Sequence, residues 1–202
     1  VMAGIVIYAQ MLAHGSDLDA QGRRYVQTIT NQANQATDLI AQILDFSRSS
    51  DLERETLDIT PLVKEAVKLW NRTLPENIQV DLSQNRETLI IKGEATRLNQ
   101  MLTNLAVNAR DAMPNGGELH LCLEHLEVTE DARPLPEIAP GPWVRITVRD
   151  TGSGIAEKDL PRIFDPFFTT KAPGKGTGLG LAQVYGIVQA HQGHIDVATQ
   201  LG

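Results

Sequence analysis

The chain has 202 residues, a formal net charge of −7 and one cysteine, Cys122. The acidic balance argues against nucleic acid or an anionic membrane as a partner, and a lone cysteine excludes disulfide frameworks and cysteine metal sites. No apolar run approaches the about 20 residues that cross a bilayer, and no signal-peptide pattern opens the chain. We therefore expect a soluble, cytoplasmic piece of one or two domains with no direct membrane contact, and leave open whether a longer protein is membrane-anchored.

Residues 1–50 predict two amphipathic helices joined by a short polar turn that contains His14. Apolar residues recur every three or four positions, as Val1, Ile5, Tyr8 and Leu12 and then as Val26, Ile29, Ala33, Ala36, Ile40 and Ile43. Such a heptad-like stripe is typical of a helical seam. One antiparallel hairpin cannot bury it, whereas two hairpins can in a four-helix bundle. We therefore predict a homodimer through residues 1–47; packing of the stripe on the chain's own second domain is the alternative.

Residues 51–60 are charged and predict a connector. A helix is expected next, with Pro61 at its start, and the segments IQVDLS and TLIIKG predict two strands. The apolar face of this helix is formed by Leu62, Val63, Ala66, Val67 and Trp70. The predicted domains are therefore a dimerisation hairpin over residues 1–50 and a second domain over residues 51–202.

The segment EATRLNQMLTNLAVNARDAMPNGG predicts an amphipathic helix with two unusual residues. Its buried stripe is expected to consist of Leu98, Met101, Leu102, Leu105, Ala109 and Ala112. Asn104 and Asn108, four positions apart, share another face with Gln100 and Asp111. Each Asn costs on the order of 0.5 kcal/mol relative to Ala in a helix, which suggests a ligand, and amide and carboxylate oxygens suit Mg²⁺. For this helix alone, a solvent-exposed polar face is the simpler explanation.

A predicted strand pair leads to the first glycine-rich turn. ELHLCLEHLEV places Leu119, Leu121 and Leu123 on one face, and its expected partner, WVRITVRD, follows the proline-rich loop TEDARPLPEIAPGP. The partner strand ends at Asp150, and DTGSGI follows. Gly152 and Gly154 allow backbone angles closed to other residues and a close approach of a ligand.

A second glycine-rich turn contains Gly174, Gly176, Gly178 and Gly180. It precedes a predicted helix with apolar residues Leu181, Val184 and Val188, and HIDVATQ predicts a final strand. A glycine loop at a helix N-terminus offers N–H donors and a positive dipole end, which suit phosphate. The loop lacks the third Gly of a dinucleotide fingerprint and the Ser or Thr of a P-loop, so alone it is equally compatible with a flexible linker.

Together and in this order, these segments resemble the ATP-binding domain of two-component sensor histidine kinases. Residues 104–108, 150–154, 164–168 and 174–180 resemble that family's N, G1, F and G2 boxes. The hairpin resembles the second half of the family's dimerisation and phosphotransfer domain. The resemblance implies an α+β fold: a helical hairpin that forms a dimeric four-helix bundle, then a two-layer α/β sandwich of the histidine kinase, Hsp90 and gyrase type.

The resemblance also implies roles for individual residues. Asn108, helped by Asn104, would ligate Mg²⁺ at the ATP phosphates, and Asp150 would accept the exocyclic amine of adenine. Residues 165–176 would form a mobile lid, with Phe164, Phe167 and Phe168 either at its base or as plain core anchors. The further implied nucleotide contacts are Asp111, Gly152, Gly154, Ile155, Phe168, Thr170, Lys171, Gly174, Lys175, Gly176, Thr177, Gly178, Leu179, Gly180 and Leu181.

The implied activity is that of an ATP- and Mg²⁺-dependent protein-histidine kinase that passes its phosphoryl group to an Asp of a response-regulator receiver domain. The family's acceptor His lies on the first helix, where no His is predicted: His14 is expected in the turn, and the other four fall in ELHLCLEHLEV and after the last helix. We therefore expect the acceptor upstream of Val1 and a chain unable to phosphorylate itself.

Two other functions stay open. One is another ATPase of the same fold, of the chaperone, topoisomerase or mismatch-repair kind, against which the heptad hairpin argues. The other is a non-enzymatic nucleotide sensor or scaffold, against which the presence of Asn104, Asn108 and the loop glycines argues.

Overall fold

A computed structural model of the chain describes residues 2–15, 18–47, 54–131, 137–172 and 176–201, without the side chains at 2, 3, 6, 14, 15, 34, 35 and 37–47. The chain divides into two compact units, Val1–Arg48 and Ser49–Gly202. Val1, Gly174, Lys175, part of the proline-rich loop and the side chains of Ile40 and Ile43, all singled out from the sequence, lie outside the described residues.

The first unit is a pair of packed helices, α1 (Met2–Gly15) and α2 (Ala20–Ser47). Asp19 begins α2, because its Oδ1 accepts a hydrogen bond of 2.7 Å from the Gly22 N–H. The predicted turn is shorter than expected: α1 continues to Gly15, so the backbone of His14 is helical and does not lie in the turn.

The predicted stripe of this hairpin divides into a buried and an exposed part. Val26 and Ala33 of the stripe are buried, together with Ala9, which the prediction left out. The larger apolar side chains of Ile5, Tyr8, Leu12 and Ile29 are each at least 40% exposed. A single hairpin therefore buries its small apolar side chains and leaves the large ones exposed.

The second unit begins with β1 (Glu55–Asp58), which pairs antiparallel with β3 (Ile90–Gly93). The prediction that residues 51–60 are only a connector was therefore wrong for 55–58. Their charged side chains are compatible with a short ladder because only Leu57 packs on the core.

Asp58 then caps α3 (Ile59–Thr73), which starts two residues before the predicted Pro61. Its Oδ1 accepts from the Thr60 N–H at 3.0 Å and from the Leu89 N–H at 3.1 Å. One carboxylate thus fixes the start of a helix and the residue that precedes β3.

A three-stranded sheet has the order β2 (Ile78–Gln84), β4 (Gly117–Val128) and β5 (Gly141–Asp150). β2 runs parallel to β4, and β5 runs antiparallel to it with Leu119 opposite Asp150. The predicted pairing of the last two strands is confirmed. The inward residues of β4, Leu119, Leu121 and Leu123, are at most 1% exposed.

Three helices form the layer that belongs to this core: α3, α4 (Ala95–Ala112) and α5 (Gly180–Ala190). α4 buries Leu98, Met101, Leu102, Ala106 and Ala109. The prediction of the stripe left out Ala106, which is buried. It included Leu105 and Ala112, which are only partly buried. The architecture confirms the predicted α+β class with a two-layer sandwich.

The predicted strand HIDVATQ does not form, since residues 193–201 pair with no strand in the described part of the chain. Side chains hold the segment instead: the His194 ring lies 5.7 Å from that of Trp143, and Thr199 Oγ1 accepts from the Ile155 N–H at 2.9 Å. Among the described helices, none combines the length and the apolar character that a membrane span requires.

The cap at Asp58 makes stability depend on pH. Burial raises the pKa of this carboxyl, but hydrogen bonds from Thr60 and Leu89 and the charge of Lys64 outweigh it and hold the pKa below its usual value. Such a group stabilises the fold above its unfolded-state pKa, and this stabilisation is lost as the pH falls through the folded-state value. Asp58→Ala should lower the melting temperature at pH 7, and the difference from wild type should shrink below about pH 4. Thermal melts across this range, with the exposed Glu87→Ala as control, check this; a difference independent of pH would contradict it.

Candidate functional site

The polar face of α4 meets α5 at a buried amide pair. Asn104 Nδ2 donates to Gln183 Oε1 at 2.9 Å, and Gln183 is only 6% exposed. A hydrogen bond in such an environment fixes the orientation of both side chains, because breaking it would leave a buried amide without that partner. The carbonyl oxygen of Asn104 remains as its second polar atom.

One turn further along α4, Asn108 and Asp111 converge on the amine of Lys171. Lys171 Nζ lies 2.6 Å from Asp111 Oδ2 and 3.5 Å from Asn108 Oδ1. The other carboxylate oxygen, Oδ1, accepts from Arg110 at 2.7 Å and 3.0 Å. Burial raises the pKa of the Asp111 carboxyl, but hydrogen bonds from Lys171 and Arg110 outweigh it and hold the pKa below its usual value. The carboxylate is therefore ionised near neutral pH.

The N-terminus of α5 opens beside Asn108. A Cβ at Gly180 would lie 3.5 Å from Asn108 Nδ2, an ordinary contact distance, so the start of α5 and this amide are direct neighbours. Leu179 precedes the helix and its side chain makes no capping hydrogen bond; Thr177 Oγ1 accepts from the Leu179 N–H at 3.3 Å. The first-turn N–H groups of α5 are thus placed to receive an anion.

The loop after β5 is tied to the other end of α4. The Ser153 N–H donates to the Ala112 carbonyl at 3.0 Å, and Thr151 exchanges hydrogen bonds with the Glu118 backbone. A Cβ at Gly152 would lie 2.6 Å from Ala112 Cβ, so only glycine fits. Gly154 adopts φ +70°, which disfavours side chains. Gly152 therefore allows close packing on α4, and Gly154 allows a close approach of the Gln200 backbone.

Asp150 ends β5 with an exposed carboxylate. Its Oδ1 accepts from the Gly152 N–H at 2.9 Å. Within the described ranges no hydrogen bond reaches Oδ2. One oxygen thus orients the side chain and the other can accept from a ligand donor.

The aromatic segment between the two glycine turns is only partly packed. Phe164 lies against Tyr185 with ring centroids 5.3 Å apart, and the Arg162 guanidinium lies 4.5 Å from the Phe168 ring centre. Phe167 has φ +68° and is 60% exposed, held by its N–H to the Gly178 carbonyl at 2.9 Å. The alternative that all three Phe residues anchor the core is wrong for Phe167; Ile163 is buried instead. The strain at Phe167 is of order 1–3 kcal/mol.

The structure brings several of the predicted site residues onto one helix or beside it. Contacts link α4 directly to Lys171, Gly152 and Gly180, while Asp150 reaches it through Gly152. Thr170 is exposed, and Ile155 contacts Thr199 through its backbone. Sequence analysis missed Gln183 and Arg110; a lone polar residue inside the apolar run of α5 was the available signal for Gln183.

The oxygens of Asn108 and Asp111 fit a particular kind of metal ion. In the described part of the chain no cluster of three or more His, Cys, Asp or Glu side chains exists that could hold a metal alone. Mg²⁺ binds through few protein oxygens, several waters and substrate phosphates. Asn108 Oδ1 and Asp111 Oδ2 match that preference, because they already bind one cation, the ammonium group of Lys171.

Comparisons with protein families divide the chain in the same way as its fold. The family model of the histidine kinase-, DNA gyrase B- and HSP90-like ATPases matches residues 93–202. The model of the His Kinase A (phospho-acceptor) domain matches residues 2–52.

Curated relatives are sensor kinases that are much longer than this chain. The sensor kinase CckA of Brucella abortus is 36% identical over 206 residues, which covers 100% of this chain and 22% of that protein. The sensor histidine kinase ZraS of Escherichia coli K12 is 30% identical over 195 residues, which covers 96% of this chain and 38% of that protein. The chain thus spans well under half the length of these relatives.

Solved structures show the same architecture. Full-length ShkA in complex with AMPPNP matches with a TM-score of 0.74 and 27% identity, over 100% of this chain and 40% of ShkA. The histidine kinase ThkA in complex with the response regulator protein TrrA matches with a TM-score of 0.58 and 25% identity, over 86% of this chain and 47% of ThkA. With both family models matched in order, the chain belongs to the two-component sensor histidine kinases.

Proposed function

We propose that the unit over residues 51–202 binds ATP with Mg²⁺ and transfers the γ-phosphoryl group to a histidine of a phospho-acceptor helix. The observation that carries this proposal is the arrangement around α4. Asp150 lies at its C-terminal end, and the α5 N-terminus and the Asn108–Asp111 oxygens lie along its polar face. A nucleotide matches both ends of this face, because its base carries hydrogen-bond donors for Asp150 and its phosphates suit the start of α5.

At the base end, Asp150 selects adenine. Its Oδ2 accepts a hydrogen bond from the exocyclic amine, and the Gly152 N–H holds Oδ1 in place. Guanine has a carbonyl at the position where adenine has its amine, so two acceptors would meet there. Gly152, Gly154 and Ile155 form the adjoining loop.

At the phosphate end, backbone and side-chain donors from two elements converge. The N–H groups of residues 177–181 and the positive end of the α5 dipole hold phosphate oxygens, with Lys171 as a charged partner. Asn108, assisted by Asn104, would ligate Mg²⁺ together with the Asp111 carboxylate beside it. Gln183 fixes the amide of Asn104. Bound Mg²⁺ would neutralise charge on the reacting phosphates. The protein residues position the γ-phosphoryl group for in-line transfer.

The lid of this site is proposed to comprise residues 165–176. Its described parts are held by few contacts, chiefly Phe168 beneath Arg162 and Lys171 on α4. Phosphates of a bound nucleotide supply new partners for Lys171 and for the glycine N–H groups, which would order the segment.

The acceptor of the phosphoryl group is proposed to be a histidine that this chain does not carry. His120 and His125 lie in β4, and His191 and His194 follow α5. His14 is the only histidine of the hairpin and, contrary to the prediction, is part of α1; it lies at the end of that helix next to Gly15, a poor platform for in-line transfer. By its likeness to ThkA, which was solved with a response regulator, we infer that the phosphoryl group passes on to an Asp of a receiver domain.

The hairpin over residues 1–47 is proposed to form a homodimer as a four-helix bundle. The exposed apolar side chains of Ile5, Tyr8, Leu12 and Ile29 supply the surface that a second hairpin would cover.

The adenine assignment predicts a specific loss in Asp150→Asn. Because an acceptor that orients the amine becomes a rotatable amide, ATP affinity should fall about tenfold or more, as expected for a hydrogen bond to a charged group. The melting temperature should change little, since Asp150 is exposed. Calorimetry with ATP and GTP measures this, and Asp131→Asn, another exposed carboxylate, is the control. Equal wild-type affinity for ATP and GTP would contradict the assignment.

Transfer to an external histidine predicts where label appears. With γ-labelled ATP, this chain should gain no acid-labile phosphate on itself. It should label a longer partner that carries the acceptor helix but has a disabled nucleotide site. Label on the chain itself that disappears in His14→Gln would show that His14 is the acceptor and would overturn this proposal.

The bundle predicts a monomer in Ile29→Glu. A charge at this position would be buried in the seam at a cost of several kcal/mol, so the dimer should dissociate at concentrations where wild type holds together. Thr28→Glu adds the same charge next to the stripe and should stay dimeric. Sedimentation equilibrium distinguishes them, and a dimeric Ile29→Glu would remove this face from the interface.

A further inference from the structure

The ammonium group of Lys171 occupies the place where the proposed metal would lie. Its Nζ is 2.6 Å from Asp111 Oδ2 and 3.5 Å from Asn108 Oδ1. Both are oxygens of the kind that Mg²⁺ takes as ligands. A compact, strongly hydrated point charge such as an ammonium is the side-chain group that most resembles a small cation.

The position of Lys171 is supported by the chain around it. Its backbone N–H donates to Thr169 Oγ1 at 3.2 Å. A Cβ at Gly176 would lie 3.1 Å from Lys171 Cδ and 2.7 Å from Thr169 Oγ1, so the glycine leaves room for the lysine stem. The side chains of Lys171 and Asp111 are 33% and 24% exposed, which places the ion pair partly out of water. These independent contacts hold the lysine side chain in a defined position against Asn108 and Asp111.

We propose that the ammonium group of Lys171 takes the place of the metal ion when no nucleotide is bound. Lys171 thereby couples the binding of Mg²⁺ to the binding of nucleotide phosphates. This inference rests on the proposed function, and it deepens the account of the same site. Mg²⁺ and the ammonium cannot share Asp111 Oδ2 and Asn108 Oδ1, because two like charges at contact distance repel each other. The metal therefore has to displace Lys171.

The outcome of this displacement depends on the nucleotide. Without nucleotide, the displaced ammonium loses its partners, so the binding of free Mg²⁺ is opposed. With a bound triphosphate, the ammonium moves to the phosphates, and the metal takes its oxygens without that loss. Each ligand therefore favours the other, and by linkage the effect is reciprocal. The result is a site that rejects the free metal ion and accepts the metal–nucleotide complex.

Lys171→Met tests the stand-in directly, with the metal alone as the probe. The complete 202-residue chain is titrated with Mn²⁺ in the absence of nucleotide, and the paramagnetic broadening of the Asn108 and Asp111 amide signals is followed. Lys171→Met should bind Mn²⁺ about three to five times more tightly than wild type, the effect expected from a partly exposed ion pair. Lys68→Met removes the same charge from the exposed face of α3 and should behave as wild type.

Equal Mn²⁺ affinity in Lys171→Met and wild type would overturn the proposal, as would the same gain in Lys68→Met, since that would be a general charge effect. If Lys171→Met fails to fold, Lys171→Gln decides with the same readout.

A second readout measures the coupling itself. The factor by which Mg²⁺ raises AMPPNP affinity should be about threefold or more smaller in Lys171→Met than in wild type, within the usual range of coupling between sites. An unchanged factor would overturn the proposal. Absence of any wild-type AMPPNP binding would instead overturn the proposed nucleotide function, while the Mn²⁺ comparison would still decide the role of Lys171.

Discussion

The packing of α4 over the leucine face of β4 is the constraint on which the rest of the second unit depends. Leu119, Leu121 and Leu123 are buried against a layer that includes Leu98 and Leu102, and each such side chain contributes about 1.5–3 kcal/mol. With α4 fixed in this way, its end binds the loop after β5 through the Ala112 carbonyl, and its side faces α5. The position of this one helix therefore determines where Gly152, Gly180 and, through Gly152, Asp150 lie.

This arrangement separates stability from binding on one helix. The apolar face of α4 is fully committed to the core, whereas Asn104, Asn108 and Asp111 are partnered by residues from later in the chain. Those partners differ in kind. Gln183 is buried and belongs to α5, so it holds Asn104 permanently, while Lys171 belongs to the proposed lid and is partly exposed. A rigid and an exchangeable contact thus lie one helical turn apart, which suits a site that must keep its shape and still exchange a ligand.

The sequence predicted the elements that have a clear hydrophobic period, such as β4 with its alternating leucines and α4 with its apolar stripe. The prediction failed for short segments, where a few residues decide whether the chain forms a strand or a loop. β1 has four residues, two of them acidic, and a two-stranded ladder of that length has no pattern that distinguishes it from a connector. The final segment has the alternation of a strand without a paired backbone. Periodicity places residues on faces, but the Gln183 contact to α4 and the Lys171–Asp111 pair span 79 and 60 residues and arise only from tertiary packing.

The central claim is that one nucleotide spans the polar face of α4 from Asp150 to the start of α5. Mapping amide chemical shifts of the complete chain during titration with AMPPNP and Mg²⁺ tests it most directly. The account predicts the largest changes at Asn108, Asp150, Gly152 and Gly180, with the signals of residues 55–73 unaffected. Changes confined to residues 55–73, or to the hairpin, with none at Asn108 and Asp150, would contradict it.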